Sequence, residues 1–182
     1  MRDPNTIDWL GNDAQAPRYI IGLSGRARSG KTTVAEILEK YGFVHMSFAH
    51  HIRLFITQLA VAVDPHFQLE RDKNKPLWWA DGKTPRYLMQ TLGTEWGRQT
   101  INPELWVQHL IARVQVPHYA HRHIVISDVR FDNEAKAIID AGGIVVNVSR
   151  ESADAVLSEH VSEAGIHPNL IGAHLYNNVE GL

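Results

Sequence analysis

The chain has 182 residues, 44% hydrophobic and 21% charged, which suits one compact unit with a real core and excludes a disordered or collagen-like chain. Its 18 Lys and Arg against 20 Asp and Glu leave a formal charge of -2, which excludes a protein that holds nucleic acid chiefly by bulk positive charge, though not one with a local basic groove. The chain has no cysteine, hence no disulfide, thiolate metal site or cysteine nucleophile, and no apolar run approaches the ~20 residues of a membrane span, so the expected location is the cytoplasm.

Residues 1–17 are rich in Asp, Asn, Gly and Pro without periodicity and read as a flexible arm. The apolar run 19–23, ended by Ser24-Gly25, predicts a buried strand. From Lys31 onward Val34, Ile37, Leu38 and Tyr41 share one helical face, closed by Gly42. Residues 43–48 predict a second strand, and Ile52, Phe55, Ile56, Leu59 and Val63 an amphipathic helix before Asp64-Pro65. The polar stretch 64–83 predicts a loop with some order. Thr84, with Pro85 behind it, caps a helix running to about Gln99, and Asn102-Pro103 repeats that signal for a helix carrying Trp106, Leu110, Ile111 and Val114. A third strand over 123–127 ends in Asp128, Asp132 is expected to cap a helix through Asp140, and strands follow over 144–148 and 173–176. Alternating strands and helices predict an α/β fold, a mostly parallel sheet with helices on both faces.

Gly25-Arg-Ala-Arg-Ser-Gly30-Lys31-Thr32 matches the phosphate-binding loop pattern GxxxxGK[ST] between a predicted strand and a predicted helix. Glycines there let successive N–H groups turn toward phosphate oxygens, and the helix adds its positive end. On this reading Gly25, Arg28, Ser29, Gly30, Lys31, Thr32 and Thr33 hold a nucleoside triphosphate, Lys31 bridges its outer phosphates, and Thr32 with Asp128 ligates Mg²⁺. Asp128 is followed by Val129 and not by a water-activating glutamate, which favours transfer to a bound acceptor over hydrolysis. Arg130 and Arg150, after the third and fourth strands, can stabilise charge on the moving phosphoryl group. Arg86, Gln90, Thr94 and Arg98 recur every four residues as a polar stripe, with Gly93 and Gly97 removing bulk beside it; such a face either is solvated or takes a planar base and a phosphate. Trp78, Trp79 and Trp96 could stack a base or serve as core. The histidines His118, His121 and His123 lack carboxylate or thiolate partners at ligand spacing and read as surface residues.

The runs TPRYLMQTLGTEWGRQTINPELWV (84–107), VISDVRFDNEAKAIIDAGGIVVNVSR (125–150) and HVSE (160–163), together with the glycine loop, resemble the phage-type deoxynucleoside monophosphate kinases over residues 19 to about 180. The resemblance implies a nucleoside monophosphate kinase-like P-loop fold with a five-stranded parallel sheet. It further implies an acceptor-binding helical insertion over about 49–116 and a lid over about 150–168. Arg86, Gln90, Glu95 and Arg98 would face the deoxynucleotide, while Asp128 and Arg130 would line the transfer site. Where such kinases often carry an acid in a segment resembling FADPLK, this chain reads Phe48-Ala-His-His-Ile-Arg53. The expected reaction is Mg²⁺-dependent transfer from ATP to a deoxynucleoside 5′-monophosphate, in the host cytoplasm if a phage encodes the chain. Two alternatives stand beside it: a kinase acting on a hydroxymethylated base in DNA, and a non-catalytic nucleotide-binding switch. A homodimer and, in the first alternative, DNA are the macromolecular partners weighed; no membrane partner is expected.

Overall fold

A computed structural model of the chain describes residues 18–151 and 165–178, so the arm over 1–17 and most of the lid over 150–168 lie outside the described residues. In chain order the elements are β1 (Ile20–Ser24), α1 (Lys31–Lys40), β2 (Val44–Met46), α2 (His50–Val61), α3 (Leu69–Asp72), a 3₁₀ turn (Trp78–Ala80) and α4 (Pro85–Thr91). A π-helical stretch (Leu92–Ile101), α5 (Leu105–Gln115), β3 (Ile124–Ile126), α6 (Asp132–Asp140), β4 (Ile144–Ser149), a second 3₁₀ turn (Pro168–Leu170) and β5 (Ala173–Tyr176) follow. They divide between two compact units, one formed by Met1–Ser47 with Leu110–Leu182 and the other by Phe48–His109.

The first unit carries a five-stranded sheet in the order β2-β3-β1-β4-β5, parallel at every pairing. The inner strand β3 is covered on both faces, which is why it reads as an unbroken apolar run: Ile124, Val125 and Ile126 are at most 1% exposed. Leu23, Val125 and Val148 pack with Ala35 of α1 and with Phe43 on one face. On the other, Ile138 of α6 sits so close to Gly22 that a Cβ there would stand 2.6 Å from it. Burying each such Ile, Leu or Val contributes about 1.5–3 kcal/mol. The chain leaves β1 toward β2 on one side and passes from β3 across β1 to β4 on the other, so the strand order reverses at β1 and a crevice is left at its carboxyl end.

The second unit is helical around Ala60, Phe67 and Leu77, with Trp79 and Leu88 packed against them. Its connecting loop is built on Asp72, a buried carboxylate that accepts from Gln68 N (2.9 Å), from Arg71 Nε and Nη2 (2.8 and 2.6 Å) and from Lys75 Nζ (2.8 Å). Arg71 first, then Lys75 and the Gln68 amide, hold the Asp72 carboxyl well below the usual carboxylate range. A depressed folded value stabilises above the unfolded value of about 3.9 and is lost as the pH falls through the folded one. Asp72→Asn is therefore expected to lower the melting temperature at neutral pH by an amount that shrinks on acidification below about pH 4. Melting curves of both proteins across that range check this; a gap independent of pH would remove the charge from the account.

Two expectations are corrected. Asp132 does not cap α6: it is the first helical residue, Phe131 holds the cap position, and Asp132 Oδ1 instead accepts from His167 N at 2.8 Å. The helix from Thr84 starts as expected, with Thr84 Oγ1 accepting from Tyr87 N at 3.2 Å, but widens to π geometry at Leu92. There Trp106 Nε1 and Arg98 Nη1 both donate to the Gly93 carbonyl (2.8 and 2.9 Å) and Thr100 Oγ1 to that of Glu95 (2.9 Å), and side chains bonded into a helical ladder open its turns.

Candidate active site

The glycine loop leaves β1 at its carboxyl end and runs directly into α1, whose Val34 N–H donates to Gly30 O at 3.0 Å. Its curl needs positive φ at Gly25 (128°), Arg28 (68°) and Gly30 (103°), a region that glycine enters freely and arginine only at a cost. A side chain at Gly25 would run into the Val148 carbonyl, so the loop also lies flush on β4. Lys31 Nζ folds back over the loop, donating to Gly25 O and Arg26 O at 2.7 Å each. An ammonium held by two carbonyls across the loop mouth is placed to exchange them for phosphate oxygens.

The loop bounds a cavity of about 260 Å³ whose lining includes Gly25, Arg26, Ser29 and Lys31 on one side and Arg130 and Ser149 on the other. Among the described residues the buried Ser29 and Ser149 hydroxyls have no hydrogen-bond partner, so the cavity offers unspent polar groups beside its cations. Arg28 and Thr32 are exposed and Thr33 half-buried, none of them lining the cavity, and Arg150 is the residue after the lining Ser149.

Asp128, two residues past β3, is gripped from β2's end: Ser47 Oγ donates to Asp128 Oδ2 at 2.8 Å. The backbone at Arg130 is held by Glu134, a carboxylate 1% exposed whose Oε2 accepts from Arg130 N (2.8 Å) and Phe131 N (3.2 Å) while standing in the first turn of α6. Ser47 and Glu134 were missed in the sequence. Neither left a readable pattern: Glu134 stands three residues past the cap, but that cap is Phe131 and not a Ser or Thr, and Ser47 lies 81 positions from Asp128.

In the second unit Arg86 is exposed and its Nε donates to Asn74 Oδ1 (2.8 Å), Gln90 and Arg98 are half-buried, Glu95 is exposed and Thr94 buried. Trp79 packs against the unit's core, whereas Trp78 is 82% exposed. Gly97 makes room for no ligand: a Cβ there would meet the Trp106 ring at 2.6–2.8 Å, so the indole occupies that space, while a Cβ on Gly93 would stand 3.1 Å from Ile52. His50 and His51 open α2 and form edge-to-face contacts, His51 reaching His109 at 4.6 Å between ring centroids. His123 is not a surface residue: it is buried between Tyr19 and Phe43, and its Nδ1 accepts from Tyr19 N at 3.2 Å. Among the described residues no set of His, Asp or Glu could hold a metal without other ligands.

The sequence profile of deoxynucleotide monophosphate kinases matches residues 72–180. A protein of Acanthamoeba polyphaga mimivirus, provisionally named a deoxynucleotide monophosphate kinase, is 30% identical over 149 residues, 72% of this chain and 74% of that protein. This chain belongs to the deoxynucleotide monophosphate kinase family. The deoxynucleoside-5′-monophosphate kinase of Escherichia phage T5 is 32% identical over 105 residues, 54% of this chain but 41% of that longer protein. A crystal structure from Thermus thermophilus aligns over 90% of both chains at 15% identity with a TM-score of 0.42; the fold assignment rests on the strand order above. The family profile begins at residue 72, past the glycine loop, so loop and profile are separate observations. As a member of this kinase family the protein is a phosphotransferase, and membership implies a nucleoside triphosphate donor and a nucleoside monophosphate acceptor. No helix among the described residues is long and apolar enough to cross a membrane.

Proposed function

We propose that the protein moves the γ-phosphoryl group of ATP onto a deoxynucleoside 5′-monophosphate, releasing the diphosphate, in the cytoplasm. The observation that carries this is the glycine loop closed by Lys31 at the carboxyl end of the central strand, in a chain of this family. Gly25, Arg28, Ser29, Gly30 and Thr33 cradle the triphosphate, and Lys31 leaves the Gly25 and Arg26 carbonyls for phosphate oxygens. Arg130, its backbone held by Glu134, and Arg150 stabilise the charge that spreads over the phosphoryl group in transit, so rate comes from positioning and neutralisation without a covalent intermediate.

The Thr32 hydroxyl and the Asp128 carboxylate, the latter held by Ser47, are hard oxygen donors of the kind Mg²⁺ takes alongside phosphate. They are the residues that would hold it. When bound, Mg²⁺ neutralises charge on the transferring phosphates.

Acceptor recognition is assigned to the second unit, to Arg86, Gln90, Thr94, Glu95, Arg98 and Trp79. Arg86 is the phosphate clamp, since a guanidinium can fork onto a monophosphate bidentately and an ammonium cannot. Arg86→Lys is thus expected to raise the acceptor KM about tenfold or more with the ATP KM nearly unchanged. Steady-state kinetics with each substrate varied in turn check this; a weakened ATP interaction with normal acceptor KM would reverse the two assignments. The reaction itself is tested by ATP consumption with each common deoxynucleoside monophosphate and with a hydroxymethylated oligonucleotide. Turnover with the oligonucleotide alone would transfer the assignment to DNA modification, and none with any acceptor would favour a switch.

A further inference from the structure

We propose that Asn177, the first residue after β5, is a positioning residue that locks the phosphate-binding loop with its N–H groups turned toward the donor nucleotide. The proposal rests on the reading of that loop as the donor site. Asn177 lies 148 positions from Ser29 in the chain, yet its Nδ2 donates to the Ser29 carbonyl at 3.1 Å. Its own N–H donates to Ser149 O at 2.8 Å, extending the β4–β5 ladder beyond the Ser149–Tyr176 pair, so the arm that reaches the loop is rooted in the sheet.

The bond falls where the loop can most readily turn wrong. Ser29 sits between Arg28 and Gly30, both at positive φ, and a glycine on the far side of a peptide makes rotation of that peptide cheap. In a trans peptide the C=O and the following N–H point in opposite directions. Holding the Ser29 carbonyl against Asn177 therefore aims the Gly30 N–H the other way, and a flipped peptide would replace that donor with an oxygen that repels phosphate. The Ser29 carbonyl, turned away from the donor site, needs a hydrogen-bond donor of its own, and Asn177 supplies it. Gly30 also gives Asn177 its room, because a Cβ at that position would run into the Asn177 amide.

A residue acting through the loop must affect every ligand of the loop, whether or not it carries a base. Asn177→Ala is expected to weaken ATP and inorganic tripolyphosphate by the same factor, about tenfold, in direct titrations, with the acceptor KM unchanged. The near-isosteric Asn177→Asp, which cannot donate when ionised, should bind tripolyphosphate at least as weakly at about pH 8 and recover part of the loss at about pH 4, where a protonated carboxyl can donate; Asn177→Ala should show no such recovery. Should the alanine variant not fold, the aspartate variant and its pH profile decide alone. Weaker ATP with unchanged tripolyphosphate would overturn the proposal by placing Asn177 at the base, and so would a lowered melting temperature with both affinities intact. Lys31→Ala separates the layers: if it leaves tripolyphosphate binding untouched, the donor-site reading itself fails, whereas if it abolishes binding that the Asn177 variants retain, only this inference does.

Discussion

Lys31→Ala is expected to lower kcat about a hundredfold or more while the protein stays folded. In the structure Lys31 Nζ is bonded to the Gly25 and Arg26 carbonyls, at the half-exposed mouth of the loop, and water can take its place there. The stability lost should then be about 1 kcal/mol or less, the net worth of ordinary hydrogen bonds. Catalysis loses far more, because the ammonium is asked to neutralise charge that shifts among the phosphates during transfer, where several kcal/mol separate its presence from its absence. Single-turnover rates beside a thermal melt distinguish the two. A variant that turns over near the normal rate would end the glycine-loop mechanism, and one that fails to fold would show Lys31 to be structural.

The sequence made legible whatever is local. The apolar run at Ile124–Ile126 marked β3 because a parallel strand buried on both faces needs apolar residues at consecutive positions, whereas β5 (Ala173–Tyr176) is a largely exposed edge strand that carries His174. Thr84-Pro85 marked the start of α4 because cap and first-turn chemistry use adjacent residues. The glycine loop was legible for the same reason. What sequence reading could not see are the bonds that aim the site across the chain: Ser47 to Asp128, 81 positions apart, and Asn177 to Ser29, 148 apart, leave no spacing to detect. The π stretch escaped because a side chain from α5, Trp106, bonds into it, and Gly97 looked like space for a ligand when it is space for that indole. The stripe of Arg86, Gln90, Thr94 and Arg98 assumed an α-helical period throughout, and past Leu92 that period no longer holds.

Glu134→Ala is expected to cost about 2–4 kcal/mol of stability and to lower kcat with little change in either KM. The carboxylate is 1% exposed, and one of its oxygens takes both the Arg130 and the Phe131 N–H. Its negative charge in the first turn of α6 is also favoured by the helix's positive end. Alanine removes the acceptor and leaves two backbone donors and a void in a site too buried for water to repair cheaply, and the penalty for unsatisfied donors exceeds what the bonds contributed. The backbone at Arg130 is then no longer fixed, so a guanidinium needed only as charge develops arrives less often, which is a loss in kcat and not in ground-state binding. Glu134→Gln keeps an amide oxygen of the same reach, so it should recover most of the stability and much of kcat, losing the charge alone. Denaturant titrations and steady-state kinetics on both variants read this directly. Alanine and glutamine equally destabilised would point to the charge over the hydrogen bonds, and an alanine variant unchanged in kcat would show that Arg130 does not need its backbone held.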